Sequence, residues 1–322
     1  MIRFIVKRLL AMIPLLIGIS FLCFAILQLA PGDFVESLTS GRQFSAAFRR
    51  QLTHEFGLDK PWPVQYLLWL GNALRFNFGI SLATREPVAG MLWERMGNTL
   101  ILSLCAFAFA WGLAIPLGIL TAVKRNSWLD RVCSLFAFSG AAIPGFFLAL
   151  VAMLFAHITG LFPIGGMRRA DFEDLTGAQQ LLDLVHHLVL PTLVLGIVDC
   201  AFIMRQMRGS LLDTLRENYI TAARARGLPE HKVVLKHALR NAANPLITVL
   251  GFSLADLLSG AALIENVMAW PGLGRLILAS VQNKDVYMVM GSFTMGALLL
   301  MLGNLAGDIL LAVADPRIRM GR

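Results

Sequence analysis

Residues 99–123 read TLILSLCAFAFAWGLAIPLGILTAV, 25 consecutive positions without a charged side chain. A helix needs roughly 20 apolar residues to cross about 30 Å of hydrocarbon, so this run predicts a membrane span. Residues 9–30 and 286–307 are also uncharged and as long as a crossing requires. Residues 132–160 form a fourth clean block, in which Pro144 predicts a kink and His157 falls near the outer end. Two weaker runs complete the set: 187–204, which contains Asp199, and 245–264, which contains Asp256. The expected fold is therefore all-α, with six spans.

Composition supports this reading, because 57% of the 322 residues are hydrophobic and only 15% are charged. An even number of spans puts both termini on one side. Residues 1–8, 124–131, 205–244 and 313–322 hold 17 of the 28 Lys and Arg, and the longer intervening loops hold 11. The positive-inside rule makes the richer face cytoplasmic. The net charge of +8 then reads as topology signal and attraction to anionic lipid, which argues against nucleic-acid binding. The uncharged run after Arg3, Lys7 and Arg8 exceeds the apolar core of a cleavable signal peptide, so an uncleaved first span is expected. Cys23, Cys105, Cys133 and Cys200 all fall in spans, where they read as small packing residues.

Three regions follow: 1–30 with the first span, an external segment 31–98, and a five-span core 99–322 with a cytoplasmic loop at 205–244. The external segment is too long for a plain connection and is expected to be folded. Within it, 48–54 reads as helix and 58–61 as a turn. Residues 64–76 read as a helix with Tyr66, Leu67, Leu70 and Leu74 on one face. Trp62, Trp69 and Trp93 suit a cap resting on the membrane interface. A second external loop, 161–186, carries Asp171, Glu173, Asp174 and Asp183.

In loop 205–244, Leu211, Leu212, Leu215, Tyr219 and Ala222–Ala223 recur at helical spacing, predicting one amphipathic helix with Arg216, Arg224 and Arg226 off its apolar face. Such a helix could lie on lipid, pack under the bundle or dock into another protein. The stretch Thr221-Ala222-Ala223-Arg224-Ala225-Arg226-Gly227 resembles the EAA loop of ABC import permeases, with Thr221 in place of the usual Glu. Small residues give a closely approachable helix surface, Gly227 suits a sharp turn, and a second helix is expected from about Pro229.

The stretch 219–228, followed by His237-Ala238-Leu239-Arg240-Asn241-Ala242, is similar to the dipeptide/oligopeptide/nickel permease family. Pro31-Gly32-Asp33, residues 56–61 with Gln65-Tyr66, Phe78-Gly79-Ile80-Ser81, Glu265-Asn266-Val267 with residues 270–275, and Asp315-Pro316-Arg317-Ile318-Arg319 extend the resemblance along most of the chain. The resemblance implies a type I importer fold in the bacterial inner membrane. It further implies a second permease subunit, two ATPase subunits that bind ATP and magnesium, and an extracytoplasmic substrate-binding protein. Coupling to the ATPases is implied for Glu217, Tyr219, Thr221, Ala222, Ala223, Arg224, Arg226, Gly227 and Leu228. Short peptides are the expected solute, ahead of nickel or a metal chelate and of a glycan fragment.

No phosphate-binding G-x-x-x-x-G-K-[ST] loop occurs in the sequence, so the chain is expected to hold no cofactor and to hydrolyse no ATP by that route. His54-Glu55 lacks the second His of a zinc-protease motif, because Leu58 stands there. An ion-coupled secondary transporter would call for inverted repeats, and none is visible. A membrane enzyme would call for catalytic pairs at a common depth, and none is visible either.

Ionisable groups within spans are costly and usually face a wet cavity or a partner. Asp199, Asp256 and Glu265 are the pathway candidates. For Asp199 the alternatives are pairing with Arg205 or lining the route to attract a cationic group such as a peptide amino terminus. Asp256 points to a pathway or a subunit interface, and Glu265 equally to capping and loop anchoring. Asp308 reads as a helix-end polar group. Pro116, Pro144 and Pro191 are expected to interrupt spans two, three and four.

Overall fold

The computed structural model describes residues 2–29 and 59–314, and within these it is almost entirely helical. The expected helix at 48–54 lies outside the described residues. The helices are α1 (Ile2–Leu29), α2 (Trp62–Ala73), α3 (Val88–Val123), α4 (Trp128–Ala142), α5 (Gly145–Thr159), α6 (Gly177–Thr214) and α7 (Asn218–Ala225). After α7 come α8 (residues 230–242, with a π turn over Val233–Ala238), α9 (Asn244–Val267), α10 (Leu273–Gln282) and α11 (Val286–Ala314). An isolated antiparallel bridge joins Ile80 and Pro87. Among the described residues, four helices, α1, α3, α6 and α11, are long and apolar enough to cross a membrane, or five spans if the bent pair α4–α5 counts as one. The weak run at 245–264 falls within α9, a 24-residue helix.

The chain divides into two compact units, and α3 and α11 each run through both. One unit comprises Leu100–Trp270 with the described residues from Leu302 onward. Its core has two apolar clusters, one around Ile203, Met204, Met207 and Leu211, the other around Leu102, Leu190, Leu257 and Trp270. Helices α3 and α6 approach so closely that a Cβ on Gly118 would sit 2.9 Å from the Met204 carbonyl and 2.7 Å from the Met207 side chain. Small residues allow this contact, which suits helices that must pack without a hydrophobic drive in lipid.

The other unit comprises Pro271–Met301 with the described residues up to Thr99. Here α2 lies on α1. The Tyr66 hydroxyl donates to the Ile17 carbonyl (3.1 Å) and shares a hydrogen bond with Ser20 (3.0 Å). The face of α2 that packs inward is Tyr66 and Trp69, while Leu67 and Leu74 are exposed. That corrects the expected face, because Tyr66 supplies the contact with α1, against Phe21 and Phe24, while Trp69 packs on Tyr66 and Phe78. Thr99 Oγ1 accepts from the Leu273 amide at the start of α10 (2.8 Å), and Asp285 caps α11 through the Met288 amide (3.1 Å). The second oxygen of Asp285 accepts from Ser81 Oγ (2.6 Å) and the Ala83 amide (3.1 Å), tying the loop 77–87 to that helix start.

Two further expectations need correction. The block 132–160 is two helices meeting at 107°, well beyond a kink. Ile143 adopts an extended conformation (φ −95°, ψ 124°) because a residue before proline is pushed out of the helical region, and Pro144 then begins α5. Pro116 and Pro191 instead sit inside unbroken α3 and α6. The predicted single amphipathic helix of loop 205–244 is also divided. Its first part continues α6 to Thr214, a turn covers 215–217, and α7 starts at Asn218.

Candidate functional site

The α7–α8 hairpin is built on two faces. Inward, Ile220 and Ala223 of α7 pack with Val233, Val234, Ala238 and Ala242 of α8 and with Leu211 of α6. Residues 220 and 223 are one helical turn apart, so they stack on one side and anchor a helix too short to persist alone. Tyr219, Thr221, Ala222, Arg224 and Arg226 are exposed, as are Glu217 and Gly227, and Leu228 is half-buried. Tyr219 therefore leaves the expected apolar face, and Ile220 takes its place.

The hairpin closes at Gly227, whose φ of +75° lies in the left-handed region that glycine enters without steric cost. Its amide donates to the Arg224 carbonyl (2.9 Å), and the Arg226 amide to that of Ala222 (3.1 Å). Across the turn, Arg224 makes a two-point contact with Glu230, Nη2 to Oε1 at 2.6 Å and Nε to Oε2 at 3.1 Å. Those hydrogen bonds hold the Glu230 carboxyl below its ordinary range and raise Arg224. At the far end, Asn241 Nδ2 donates to the Tyr219 hydroxyl (2.8 Å) and Ser210 Oγ to the Ala242 carbonyl (2.7 Å). The result is a braced pair of helices whose outer face carries Tyr219, Thr221, Ala222, Arg224 and Arg226, while Ala223, expected on an approachable small-residue surface, is turned inward.

Beside this hairpin in the chain, α4 is fastened to α6 by a charge pair that sequence reading missed. Arg208 donates to Asp130 through Nε (2.8 Å) and Nη2 (2.9 Å). Asp130 also accepts from the Asn126 amide (2.9 Å), and its own amide donates to the N-cap Ser127 (3.2 Å). Seventy-eight residues separate the partners, so no local pattern announces the pair.

The three candidate pathway acids do not all come together. Asp199 does not pair with Arg205: six residues apart on one helix, their side chains point about 120° away from each other. Arg205 instead lies over the Phe138 ring, 5.6 Å from its centre. Asp199 accepts from Ser253 Oγ (3.3 Å), which accepts from the Trp111 indole (3.2 Å). Asp199 and Asp256 line one cleft of about 270 Å³ where the α4–α5 break meets α6 and α9. Glu265 is fully buried near the end of α9 and is not part of that lining. Asp308, on α11, is half-buried.

Residues 114–320 match the family model "Binding-protein-dependent transport system inner membrane component", and residues 1–103 match its N-terminal companion. The chain is 38% identical to the oligopeptide transport system permease protein AppB of Bacillus subtilis (strain 168), over 99% of each chain. Identity is also 38% to the dipeptide transport system permease protein DppB of Escherichia coli (strain K12), over 99% of each chain, and to the di/tripeptide transport system permease protein DppB of Pseudomonas aeruginosa (strain UCBPP-PA14), over the full length of both. Among solved structures, an inward-facing MetNI methionine ABC transporter aligns with a TM-score of 0.50 at 19% identity, covering 70% of this chain and 96% of that one, a likeness of fold. With both family models matched in order and near full-length likeness to three peptide-system permeases, the chain belongs to the binding-protein-dependent ABC transporter inner-membrane permeases of the dipeptide/oligopeptide type.

Proposed function

We propose that this chain is one transmembrane subunit of an ATP-driven importer that carries short peptides across the bacterial inner membrane. In this reading it crosses six times, counting the α4–α5 pair and α9, with both termini in the cytoplasm. Its partners are a second permease subunit, two ATPase subunits and an extracytoplasmic binding protein. ATP and magnesium bind to the ATPases alone.

The α7–α8 hairpin is the handle in this mechanism. ATP-driven closure of the ATPases pushes on the exposed face of Thr221, Ala222, Arg224 and Arg226. The buried face of Ile220 and Ala223 passes the displacement to α6 and α8 through close-packed contacts. Arg224–Glu230 and Gly227 keep the hairpin from splaying while it is loaded. The α4–α5 break at Pro144 offers a flexing point beside the cleft.

The observation that carries the proposal is the two-sided hairpin, packed on one face and exposed on the other, in a chain so similar to peptide permeases. Uptake of a radiolabelled dipeptide into proteoliposomes tests it. The complete complex with its binding protein is expected to import the dipeptide only with internal ATP and both ATPases. Import driven by an ion gradient without ATPases would overturn the proposal.

A further inference from the structure

We infer that the cleft between α6 and α9 is a binding site for the cationic end of the transported solute, held by Asp199 and Asp256. On α9, Ser253, Asp256 and Gly260 fall at helical i, i+3 and i+7 spacing, so one face presents them together. Asp199 faces them from α6 and is joined to α9 by the Ser253 hydrogen bond.

The hydrogen bonds run in one direction. The Trp111 indole can only donate, so it fills an acceptor position on Ser253, and Ser253 spends its single proton on Asp199. Asp199 is thereby fixed as the acceptor end of the chain, with Ser253 its one protein donor among the described residues. Asp256 is exposed and receives no hydrogen bond among the described residues. The rest of the lining is apolar or glycine and holds no Lys, Arg or His. A cleft in the membrane-crossing helices with two carboxylates and no balancing cation attracts positive charge, and its low-dielectric walls concentrate that attraction.

An ammonium brings three donors and a guanidinium five, which suits carboxylates with open lone pairs. About 270 Å³ lies below the usual size of a pocket that engulfs a whole drug-sized ligand, so the site fits one end of a peptide. Identifying the solute as a peptide rests on the proposed function; the cation preference rests on the cleft alone.

The test compares the dipeptides Lys-Lys and Asp-Asp in proteoliposomes holding the complete complex. Asp199→Asn with Asp256→Asn is expected to lower kcat/KM for Lys-Lys tenfold or more and for Asp-Asp less than threefold, with complex assembly retained. Asp199→Glu should restore part of the Lys-Lys rate. Equal losses for both peptides, or no loss for either, overturn the inference. If the wild-type complex imports neither peptide, the peptide reading falls. Equilibrium binding of radiolabelled methylammonium to the purified complex then decides the cleft: retention by wild type and loss in the double variant upholds it, and equal retention or none overturns it.

Discussion

Arg208→Ala removes the guanidinium that reaches both oxygens of Asp130, a carboxylate left 4% exposed. Breaking a fully buried ion pair from one side costs roughly 3–5 kcal/mol, because the remaining charge is stranded. Here the cost is smaller: the Arg208 side chain is 28% exposed, and Asp130 keeps the Asn126 amide and a long contact from Ser134 (3.4 Å). A loss of about 2–3 kcal/mol is expected for Arg208→Ala and about 1–2 kcal/mol for Asp130→Ala, whose partner can turn to water. The double variant should lose less than the sum by about 1–2 kcal/mol, the signature of groups in direct contact. Denaturant unfolding of the purified chain in detergent, followed by tryptophan fluorescence, gives the four free energies of the cycle. A coupling below about 0.5 kcal/mol would refute the claim that this pair fastens α4 to α6.

Further predictions concern the hairpin and α2. Gly227→Val forces a β-branched residue into the left-handed region at a cost of at least about 1–2 kcal/mol. It should abolish co-purification with the ATPases while the chain still inserts, and normal co-purification would count against the docking role. The Glu230 carboxyl lies below its ordinary range, so its contribution is present above the unfolded carboxyl pKa and lost as pH falls through the depressed folded value. Because Arg224 and Glu230 are both well exposed, Glu230→Gln should cost only a few tenths of a kcal/mol at pH 7, with the difference from wild type vanishing in strong acid. Thermal scans across pH would show it, and a difference that grew on acidification would oppose the assignment. Tyr66→Phe should cost about 1 kcal/mol by removing the hydroxyl bound to Ile17 and Ser20, read as a lowered thermal midpoint. An unchanged midpoint would deny that bond a role in holding α2 on α1.

The apolar runs at 9–30, 99–123 and 286–307 made α1, α3 and α11 legible, because span length is set by the bilayer and written as uncharged residues. Helix ends were less legible. Residues 88–98 and 177–186 are helical but polar enough to escape a hydropathy reading, so α3 and α6 begin earlier than the spans they contain. The ten-residue α10 was missed, being too short for a span and capped from Thr99, far away in the sequence. Local chemistry did foretell the Gly227 turn and a helix after Pro229. Contacts across long separations were out of reach. Asp199 was visible as an anomaly, whereas its partner Ser253 lies 54 residues on and Trp111 comes from a third helix.

Coupling to the ATPases depends most on where the outer face of α7 lies and what touches it. Ala222→Cys, in a chain whose native cysteines have been replaced, can be tested in whole cells and in inverted vesicles. Labelling by a membrane-impermeant maleimide is expected only from the cytoplasmic side, with protection from it when the ATPases are bound. Labelling from outside intact cells, or equal labelling with and without the ATPases, would contradict it.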